Sequence, residues 1–268
     1  MDDMHERSVT VGIGPVSRED VMAVARYDAQ VVIAEDAWAE VRKSREIIEA
    51  LADDQEPHYG VSTGFGALAT RHIPVELRAQ LQRSLVRSHA AGSGPEVERE
   101  VVRALMLLRI STLATGRTGI REETLRSYVA MLNAGLTPVV YEYGSLGCSG
   151  DLAPLAHCAL ALMGEGIVRD SAGTITPTSE AFAVAGIAPA TLAEKEGLAL
   201  INGTDGMLGM LLLAITDLRQ LLKIADIATA MSVEGLLGTD DVFADDLHAL
   251  RPHPGQAAAA SNLRMIMA

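Results

Sequence analysis

The segment GSLGCSGDLAPLAH, residues 144–157, places Cys148, Ser149 and Gly150 in a row just before a predicted helix. Because glycine lacks the Cβ that would obstruct the approach, the amide nitrogen of Gly150 can attack the carbonyl carbon of Cys148 in a tightly bent chain. Loss of water closes a five-membered ring, and loss of the Ser149 hydroxyl as a second water leaves an exocyclic methylene, an electrophile that no ordinary side chain provides. A tight turn with a helix N-cap is the other interpretation of these residues.

Two common chemistries of serine and glycine motifs fit this sequence poorly. The hydrolase elbow requires Gly-x-Ser-x-Gly, but around Ser149 the fifth position is Asp151. A dinucleotide-binding fingerprint also fails, because Gly203, Gly206 and Gly209 are spaced three apart and no strand-helix-strand pattern surrounds them. That glycine series instead predicts close packing between helices.

Metal ligands are not grouped along the sequence. The seven histidines are scattered, with no H-x-x-x-H pattern, and the two cysteines, Cys148 and Cys158, lie ten residues apart. The densest acidic cluster could hold a cation, but the end of a solvated helix is the favoured interpretation. This cluster consists of Asp240, Asp241, Asp245 and Asp246. We therefore expect neither a metal nor a diffusible cofactor.

The segment around Ser149 resembles the signature of the aromatic amino-acid ammonia-lyases, whose Ala-Ser-Gly cyclises to 4-methylidene-imidazol-5-one (MIO). Further segments resemble the same family in the same order, namely YGVSTGFG, SLVRSHAAG, LALINGT and RPHPGQ. The resemblance implies that Cys148, Ser149 and Gly150 form MIO here. Cys148 stands where the family more commonly has alanine; its side chain stays outside the ring bonds, so cyclisation should survive, and its thiol adds a liability to oxidation or self-addition.

Among the subfamilies, the resemblance is closest to the histidine ammonia-lyases, which convert histidine to urocanate and ammonia. The discriminating pair is Ser88-His89, because lyases for tyrosine or phenylalanine tend to carry His-Leu or Phe-Leu at the matching place. The resemblance implies that Ser88 and His89 bind an imidazole substrate and that His89 orients it. A serine and a histidine bonded to carbonyls at a helix C-terminus are the alternative. A tyrosine or phenylalanine lyase, or an aminomutase, also stays open.

The resemblance implies roles for residues outside the ring-forming triad. Tyr59 in YGVSTGFG matches a family tyrosine near the reacting centre, a candidate for proton transfer or for handling the amino group. Asn202 in LALINGT would hydrogen-bond the prosthetic ring or stabilise negative charge that develops on it. Asp151 would hold the ring-forming loop in its bend. A tyrosine that caps its loop and an asparagine in a glycine turn are the structural alternatives for the first two.

The implied reaction is difficult because an amine leaves poorly and the β hydrogen beside an imidazole is weakly acidic. The electrophile would capture the substrate, through its amino group or its ring, and withdraw electrons while a base removes a proton. Gly64 and Gly66 let the Tyr59 loop bend and predict a lid over a site that excludes water, although a plain loop needs glycine as well.

The elements that must position these residues are predicted to be mainly helical. Aromatic residues are scarce (one Trp, three Phe and five Tyr), whereas Ala, Leu, Met and Val abound, and this mixture favours helix over sheet. We expect a long-helix bundle with a small β-hairpin and an N-terminal loop-rich region that carries the MIO site. The hairpin is GIVRDSAGTIT, with a turn over residues 170–173. The stretch from Gly206 to about Leu237 predicts a long helix buried in the middle of the bundle.

Other helix boundaries follow from caps and prolines. Ser17 is a predicted N-cap, and VVIAED then supplies a β-rich link to a second helix that begins near Asp36. Pro74 opens a further helix, and Pro95 opens the next, which runs to about Gly116. After the triad, apolar residues at helical spacing predict one continuous face and place Cys148, Ser149 and Gly150 at a helix N-terminus.

Charge and cysteine content narrow the setting. A formal net charge of −13, without a cluster of Lys and Arg, argues against a nucleic-acid partner. The apolar run GMLGMLLLAIT is too short to cross a bilayer, so no membrane partner is expected. The N-terminus lacks the pattern of a secretory signal, and two cysteines cannot form a disulfide framework. We expect a cytoplasmic protein that acts on a small amino acid.

Length bears on organisation and assembly. Without a linker or an internal repeat, one domain over residues 1–268 is the simplest prediction. Family chains are much longer, with a helical half after the matched region, so residues 1–268 are expected to be the N-terminal portion alone, as a truncated form, a cleaved piece or a gene fragment. The resemblance implies a homotetramer whose sites combine several subunits and whose C-terminal half supplies an arginine for the substrate carboxylate. An inactive helical assembly module is the alternative from another class.

Overall fold

The structure, a computed structural model, describes residues 8–144 and 150–268. These residues are mainly helical, which confirms the predicted fold class. The chain divides into two compact units, the first ending at Leu212 and the second beginning at Leu213. The prediction that residues 1–268 are a single N-terminal portion of a longer enzyme stays a prediction.

Helices dominate the described chain, and the strands are short. The helices are α1 (Arg18–Tyr27), α2 (Glu35–Asp53), α3 (Val75–His89), α4 (Arg99–Ala114), α5 (Glu122–Asn133), α6 (Leu152–Leu162), α7 (Thr178–Ala185), α8 (Glu196–Ile201), α9 (Asp205–Gly235), α10 (Asp245–Ala249) and α11 (Pro254–Met267). The strands are β1 (Ser8–Val11), β2 (Gln30–Ile33), β3 (Ser93–Glu96), β4 (Thr137–Pro138), β5 (Tyr141–Tyr143), β6 (Ile167–Arg169) and β7 (Ile175–Pro177). They pair in small sheets of two or three strands.

The N-terminal region is built from a strand pair and a well-capped helix. β1 and β2 pair in parallel along their whole length. Between them, Ser17 begins α1 with a capping box: the Asp20 N–H donates to the Ser17 hydroxyl at 3.1 Å, and the Ser17 N–H donates to the Asp20 carboxylate at 3.2 Å. The Ser17 cap and the strand in VVIAED are therefore confirmed. The partner strand β1 was not predicted, because four residues carry too little pattern.

The predicted helix start at Pro95 is wrong. Pro95 lies in β3, which pairs antiparallel with β5, and α4 begins only at Arg99. The fixed φ of proline suits the first turn of a helix and an edge strand equally well, so the residue alone did not distinguish them. The Val97 N–H donates to the Val140 carbonyl at 2.9 Å and continues the pairing beyond Pro95. The preceding helix, α3, follows Pro74 as predicted.

Helix α4 forms the centre of the core of the first unit. It packs against α1, α2 and α5, and every residue from Val101 to Ser111 is buried. Burial includes two charged side chains, Arg103 and Arg109, which are 1% and 2% exposed. A helix that is apolar on nearly all sides is expected to be surrounded by other elements, and α1, α2 and α5 surround α4 in this way.

The predicted hairpin is confirmed. β6 and β7 pair antiparallel, and β4 adds a third strand on the other side of β6. The turn is closed by the Gly173 N–H, which donates to the Asp170 carbonyl at 3.1 Å, and by the Thr174 N–H, which donates to the Asp170 carboxylate at 2.8 Å. Aspartate is common at the start of such a turn because its side chain accepts hydrogen bonds from the backbone of the same turn.

The long helix predicted from Gly206 is present as α9, but it is not buried as predicted. Most of its large apolar side chains are exposed; Leu218 is 54% exposed, Leu222 60% and Met231 66%. An apolar helix is buried only where neighbours cover it, and the described residues cover α9 over a small part of its surface. None of the helices in residues 8–144 and 150–268 combines the length and hydrophobicity needed to span a bilayer.

Candidate active site

Two of the predicted catalytic residues, Tyr59 and Asn202, line the same cavity. The cavity has a volume of about 440 Å³. Tyr59 comes from the loop after α2, whereas Asn202 is the residue that ends α8. The other lining residues are Arg109, Thr112, Arg117, Thr118, Lys195, Leu198 and Ala199. Residues far apart in sequence therefore meet at one concave site, the usual setting of a binding pocket.

The Tyr59 loop is fixed against α8 by a glycine. Gly60 has φ +73°, which strains a residue with a Cβ, and a Cβ there would lie 2.2 Å from the end of the Leu198 side chain and displace it. The Lys195 N–H donates to the Gly60 carbonyl at 3.1 Å. Tyr59 itself is 52% exposed, and its hydroxyl accepts the Gly66 N–H at 3.4 Å. The phenol is thus held near the cavity with its ring open to solvent.

The two glycines of the predicted lid have local structural reasons. A Cβ on Gly64 would lie 2.7 Å from the Leu68 Cβ, and Gly66 has φ +54°. The Gly64 N–H also donates to the Arg71 carbonyl at 3.0 Å, which ties the loop to the following segment. A tight turn accounts for both residues, and movement of the loop as a lid stays a prediction.

Gly150, the last residue of the ring-forming triad, lies against the LALINGT segment. It bridges to Gly203 in parallel, and the Asp151 N–H donates to the Gly203 carbonyl at 2.7 Å. Gly150 has φ +89°, and a Cβ on it would lie 2.1 Å from the Gly203 oxygen. This position accepts glycine alone, as a ring closed through the Gly150 nitrogen requires. Cys148 and Ser149 lie outside the described residues.

Asp151 connects the triad to the start of α9. Its carboxylate is 3% exposed and accepts the Met207 N–H at 2.9 Å, in the first turn of α9. A carboxylate at the N-terminal end of a helix accepts a bond from a free backbone N–H, and its negative charge interacts favourably with the positive end of the helix dipole. Asp151 therefore holds its own backbone to Gly203 and its side chain to Met207, contacts that suit its predicted role in the bend.

A buried ion pair missed by the sequence analysis lies beneath this segment. Arg109 of α4 pairs with Asp205, the first residue of α9, and its other terminal nitrogen donates to the Ala199 carbonyl at 3.2 Å. Burial raises the pKa of the Asp205 carboxyl, and the Arg109 guanidinium opposes that rise. The sequence feature that could have predicted this pair is Arg109 itself, because a charge within the apolar run LMLLRIS needs a buried partner.

Ser88 and His89, the predicted substrate-binding pair, lie in the last turn of α3 and are not among the residues that line the Tyr59–Asn202 cavity. The Ser88 hydroxyl donates to the Leu85 carbonyl at 2.8 Å, and the His89 Nδ1–H donates to the same oxygen at 2.9 Å. These bonds match the alternative interpretation, in which a serine and a histidine bond to backbone carbonyls at a helix C-terminus. Because Nδ1 carries the proton, a neutral His89 ring presents Nε2 as its acceptor.

A second histidine joins two of the predicted motifs. His157 of α6 accepts the Gly92 N–H through Nε2 at 3.1 Å and packs edge-on against Tyr141, with 5.4 Å between ring centroids. Burial lowers the pKa of His157, which favours the neutral ring that this bond requires. The segments SLVRSHAAG and GSLGCSGDLAPLAH therefore meet through Gly92 and His157, as the latter and LALINGT meet through Gly150 and Gly203.

The charge of the cavity is opposite to that of the chain. The chain carries a formal net charge of −13. The cavity lining nevertheless includes Arg117 and Lys195, together with Arg109, whose charge is paired with Asp205, and no Asp or Glu is among the lining residues. A pocket lined by cations attracts an anionic group, such as a carboxylate.

Two other candidate groups are placed differently. Cys158 is fully buried in α6, and burial raises the pKa of its thiol to about 12, so this cysteine is protonated rather than a thiolate nucleophile. The acidic cluster is exposed; Asp245 pairs with Arg264 at 2.6 Å. Within residues 8–144 and 150–268, no three His, Cys, Asp or Glu side chains come together in a group that could hold a metal ion.

Known proteins resemble this chain along nearly its whole length. The model of the aromatic amino acid lyase family matches residues 16–268. A histidine ammonia-lyase of Streptomyces coelicolor is 60% identical over 260 residues, which are 97% of this chain and 51% of that protein. The chain thus spans about half the length of the curated relatives it matches.

Solved structures show the same fold. A tyrosine aminomutase from Streptomyces globisporus superposes with a TM-score of 0.88 at 39% identity, covering 97% of this chain and 49% of that one. A histidine ammonia-lyase from Trypanosoma cruzi superposes with a TM-score of 0.87 at 34% identity, covering 96% of this chain and 50% of that one.

Proposed function

The chain belongs to the aromatic amino acid lyase family, and on that premise we propose that it is the MIO-bearing portion of an enzyme that eliminates ammonia from L-histidine to give urocanate. The observation that carries this proposal is the fit of Gly150 against Gly203, where a Cβ would lie 2.1 Å from the Gly203 oxygen. The 60% identity with a histidine ammonia-lyase supports histidine as the substrate.

The residues around Gly150 fit the prosthetic group. Cys148, Ser149 and Gly150 would form MIO, which would supply an electron-poor alkene to withdraw electrons from the substrate. Gly150 meets the requirement for a residue without a Cβ at the closing nitrogen. Asn202 ends α8 and directly precedes Gly203. Its side-chain nitrogen donates to the Leu198 carbonyl at 3.0 Å and keeps a second N–H, which is a suitable donor to the ring or to charge that develops on it.

The cavity beside this group suits an amino-acid substrate. Arg117 and Lys195 provide positive charge for the carboxylate, and Tyr59 brings a phenol that can accept or return a proton. His89 is proposed to orient the imidazole, with Nε2 as its acceptor. A cytoplasmic homotetramer, as the family resemblance implies, is part of the same proposal; its assembly would bring further groups to the site.

The second candidate is a tyrosine aminomutase or lyase of the same family. It is favoured by the 39% identity and the TM-score of 0.88 with the Streptomyces globisporus aminomutase. The two candidates share MIO chemistry and differ in the side chain that the enzyme accepts. Substrate choice therefore separates them.

The substrate test uses the full chain as its gene encodes it. The enzyme is incubated separately with histidine, tyrosine and phenylalanine, and the absorbance of urocanate, coumarate or cinnamate is followed. We expect urocanate from histidine. Formation of coumarate alone would reject histidine as the substrate and favour the second candidate.

The cofactor test is independent of substrate. Intact-mass spectrometry is expected to show the translated mass less two waters, because ring closure and dehydration of Ser149 each release one. Ser149→Ala has no hydroxyl to release as the second water, so the two-water loss should disappear, whereas Ser145→Ala, a matched change in the same segment, should retain it. An unmodified wild-type mass would reject MIO chemistry and favour the inactive assembly module.

A further inference from the structure

We propose that the Arg109–Asp205 ion pair positions the backbone for MIO formation, by holding the Gly203 carbonyl against residues 150 and 151. This inference rests on the proposed function. Arg109 does not touch the reacting atoms in this proposal; it acts through Gly203 and is therefore a positioning residue rather than a catalytic one.

Arg109 binds both ends of the segment that carries Gly203. One terminal nitrogen donates to the Ala199 carbonyl in α8 at 3.2 Å, and the other pairs with Asp205 at the start of α9. A Cβ on Gly203 would lie 1.8 Å from this second nitrogen. The guanidinium therefore lies directly against the backbone of Gly203 and leaves it no room to move towards α4.

The opposite side of Gly203 contacts the triad. Its carbonyl accepts the Asp151 N–H at 2.7 Å and blocks any side chain at residue 150. The Asp151 carboxylate is held in turn by the Met207 N–H at 2.9 Å. A continuous chain of contacts thus runs from Arg109 through Gly203 to Gly150, with Asp205 and Asp151 fixing the two sides of the turn.

The ring-forming step needs such a fixed bend. A bond forms between the Gly150 nitrogen and the Cys148 carbonyl carbon; the carbonyl oxygen leaves as water with the amide hydrogens of Gly150 and Ser149. The second water takes the Ser149 hydroxyl and its Cα hydrogen, so no oxidant or reductant is required. Because attack by an amide nitrogen is slow, holding Gly150 at φ +89° in advance removes part of the entropic barrier.

The chain provides a matched control in Arg103. It lies on the same helix, is equally buried, and donates to the Val24 and Leu132 carbonyls at 2.9 and 3.2 Å. Its contacts lie among α1, α4 and α5, away from Gly203. Loss of a buried arginine at either position should lower stability, but only the change at Arg109 should slow ring formation.

The experiment compares Arg109→Lys with Arg103→Lys in the full chain. Lysine keeps the charge but replaces the two terminal nitrogens of the planar guanidinium with a single ammonium, so it does not reproduce the paired geometry of Arg109 with the Ala199 carbonyl and Asp205. The fraction of chains that have lost two waters is followed by intact mass over time after synthesis, and the denaturation midpoint of each variant is measured in parallel. We expect Arg109→Lys to lose water about tenfold more slowly than wild type, and Arg103→Lys to match wild type.

A second variant guards against failure of Arg109→Lys to fold. Asp205→Asn keeps the size of the side chain but removes the charge, and it should also slow the mass loss. Wild-type kinetics in Asp205→Asn, or equal slowing in Arg103→Lys at equal stability, overturns the positioning role and leaves the proposed function standing. A wild-type chain that never loses water overturns both.

Discussion

Helices α4 and α9 both carry long apolar runs, RALMLLRIST and GMLGMLLLAIT, yet α4 is buried on nearly every side whereas α9 exposes most of its large apolar side chains. Composition does not separate them. The difference is in the neighbours: α1, α2 and α5 surround α4, whereas α9 is covered only along one face of its first turns, where Gly209 packs against Ala104. Burial is thus decided by what the rest of the chain provides. Substitutions in α4 and α9 test this comparison, and one in α6 tests the effect of burial through pH.

The largest effect is expected in α4. Leu107 is fully buried, so Leu107→Ala leaves a cavity and should lower the free energy of unfolding by about 2–5 kcal/mol. Urea denaturation followed by circular dichroism measures this loss. A cost below about 1 kcal/mol would mean that α4 is not the packed centre of its unit.

The covered part of α9 should respond next. A Cβ on Gly209 would already lie 3.1 Å from the Ala104 Cβ, so Gly209→Val overpacks this contact and should cost about 1–3 kcal/mol in the same assay. The neighbouring Met210 is 46% exposed and provides the control, Met210→Val. If both variants lowered the free energy of unfolding equally, Gly209 and Met210 could not lie on a packed and an open face of the same helical turn.

A smaller effect tests burial around α6 through pH. The pKa of His157 is lowered by burial, so protonation favours the unfolded chain. The contribution of the neutral His157 ring to the free energy of unfolding is therefore complete above the unfolded pKa of about 6.5. It is lost as pH falls through the lower pKa of the folded state. His157→Gln, whose amide oxygen can accept the same Gly92 N–H, removes the titrating ring and should flatten this loss of stability at acid pH. Urea denaturation of both proteins from about pH 7.5 down through the unfolded pKa of about 6.5 reports the difference; unchanged pH dependence in the variant would show that His157 is not responsible.

The smallest effect is expected on the open surface of α9. Leu222 is 60% exposed, and Leu222→Ala in these 268 residues should change the free energy of unfolding by less than about 0.5 kcal/mol. A loss as large as that of Leu107→Ala would break the comparison, because it would mean that another surface covers α9 in solution.

Local features of the fold were predictable because their causes lie within a few residues. Ser17 and Asp20 form the cap that their spacing predicts, and Asp170 and Gly173 close the hairpin turn. Pro95 misled because its fixed φ suits two kinds of element, and the choice was made by pairing with β5, some 45 residues later. The parallel partner of β2 and the exposure of α9 likewise depend on contacts that no local pattern contains.

The candidate site was predictable in part through motifs rather than through periodicity. Tyr59 and Asn202 were named from family resemblance, and they line one cavity. Arg109 and Asp205 were missed because an ion pair between residues 96 apart in sequence leaves no spacing to recognise. The roles of Ser88 and His89 stay predictions, since their bonds to Leu85 serve a helix end equally well.

The two attachments of Asp151 also set an order of events. Its partners, Gly203 and Met207, are synthesised after it, so the bend at Gly150 cannot be secured while the chain is still emerging as far as residue 200. Under the proposed function, a reactive alkene would therefore arise only after this part of the protein has folded. A nascent chain would be spared an electrophile to which its own thiols or those of the cell could add.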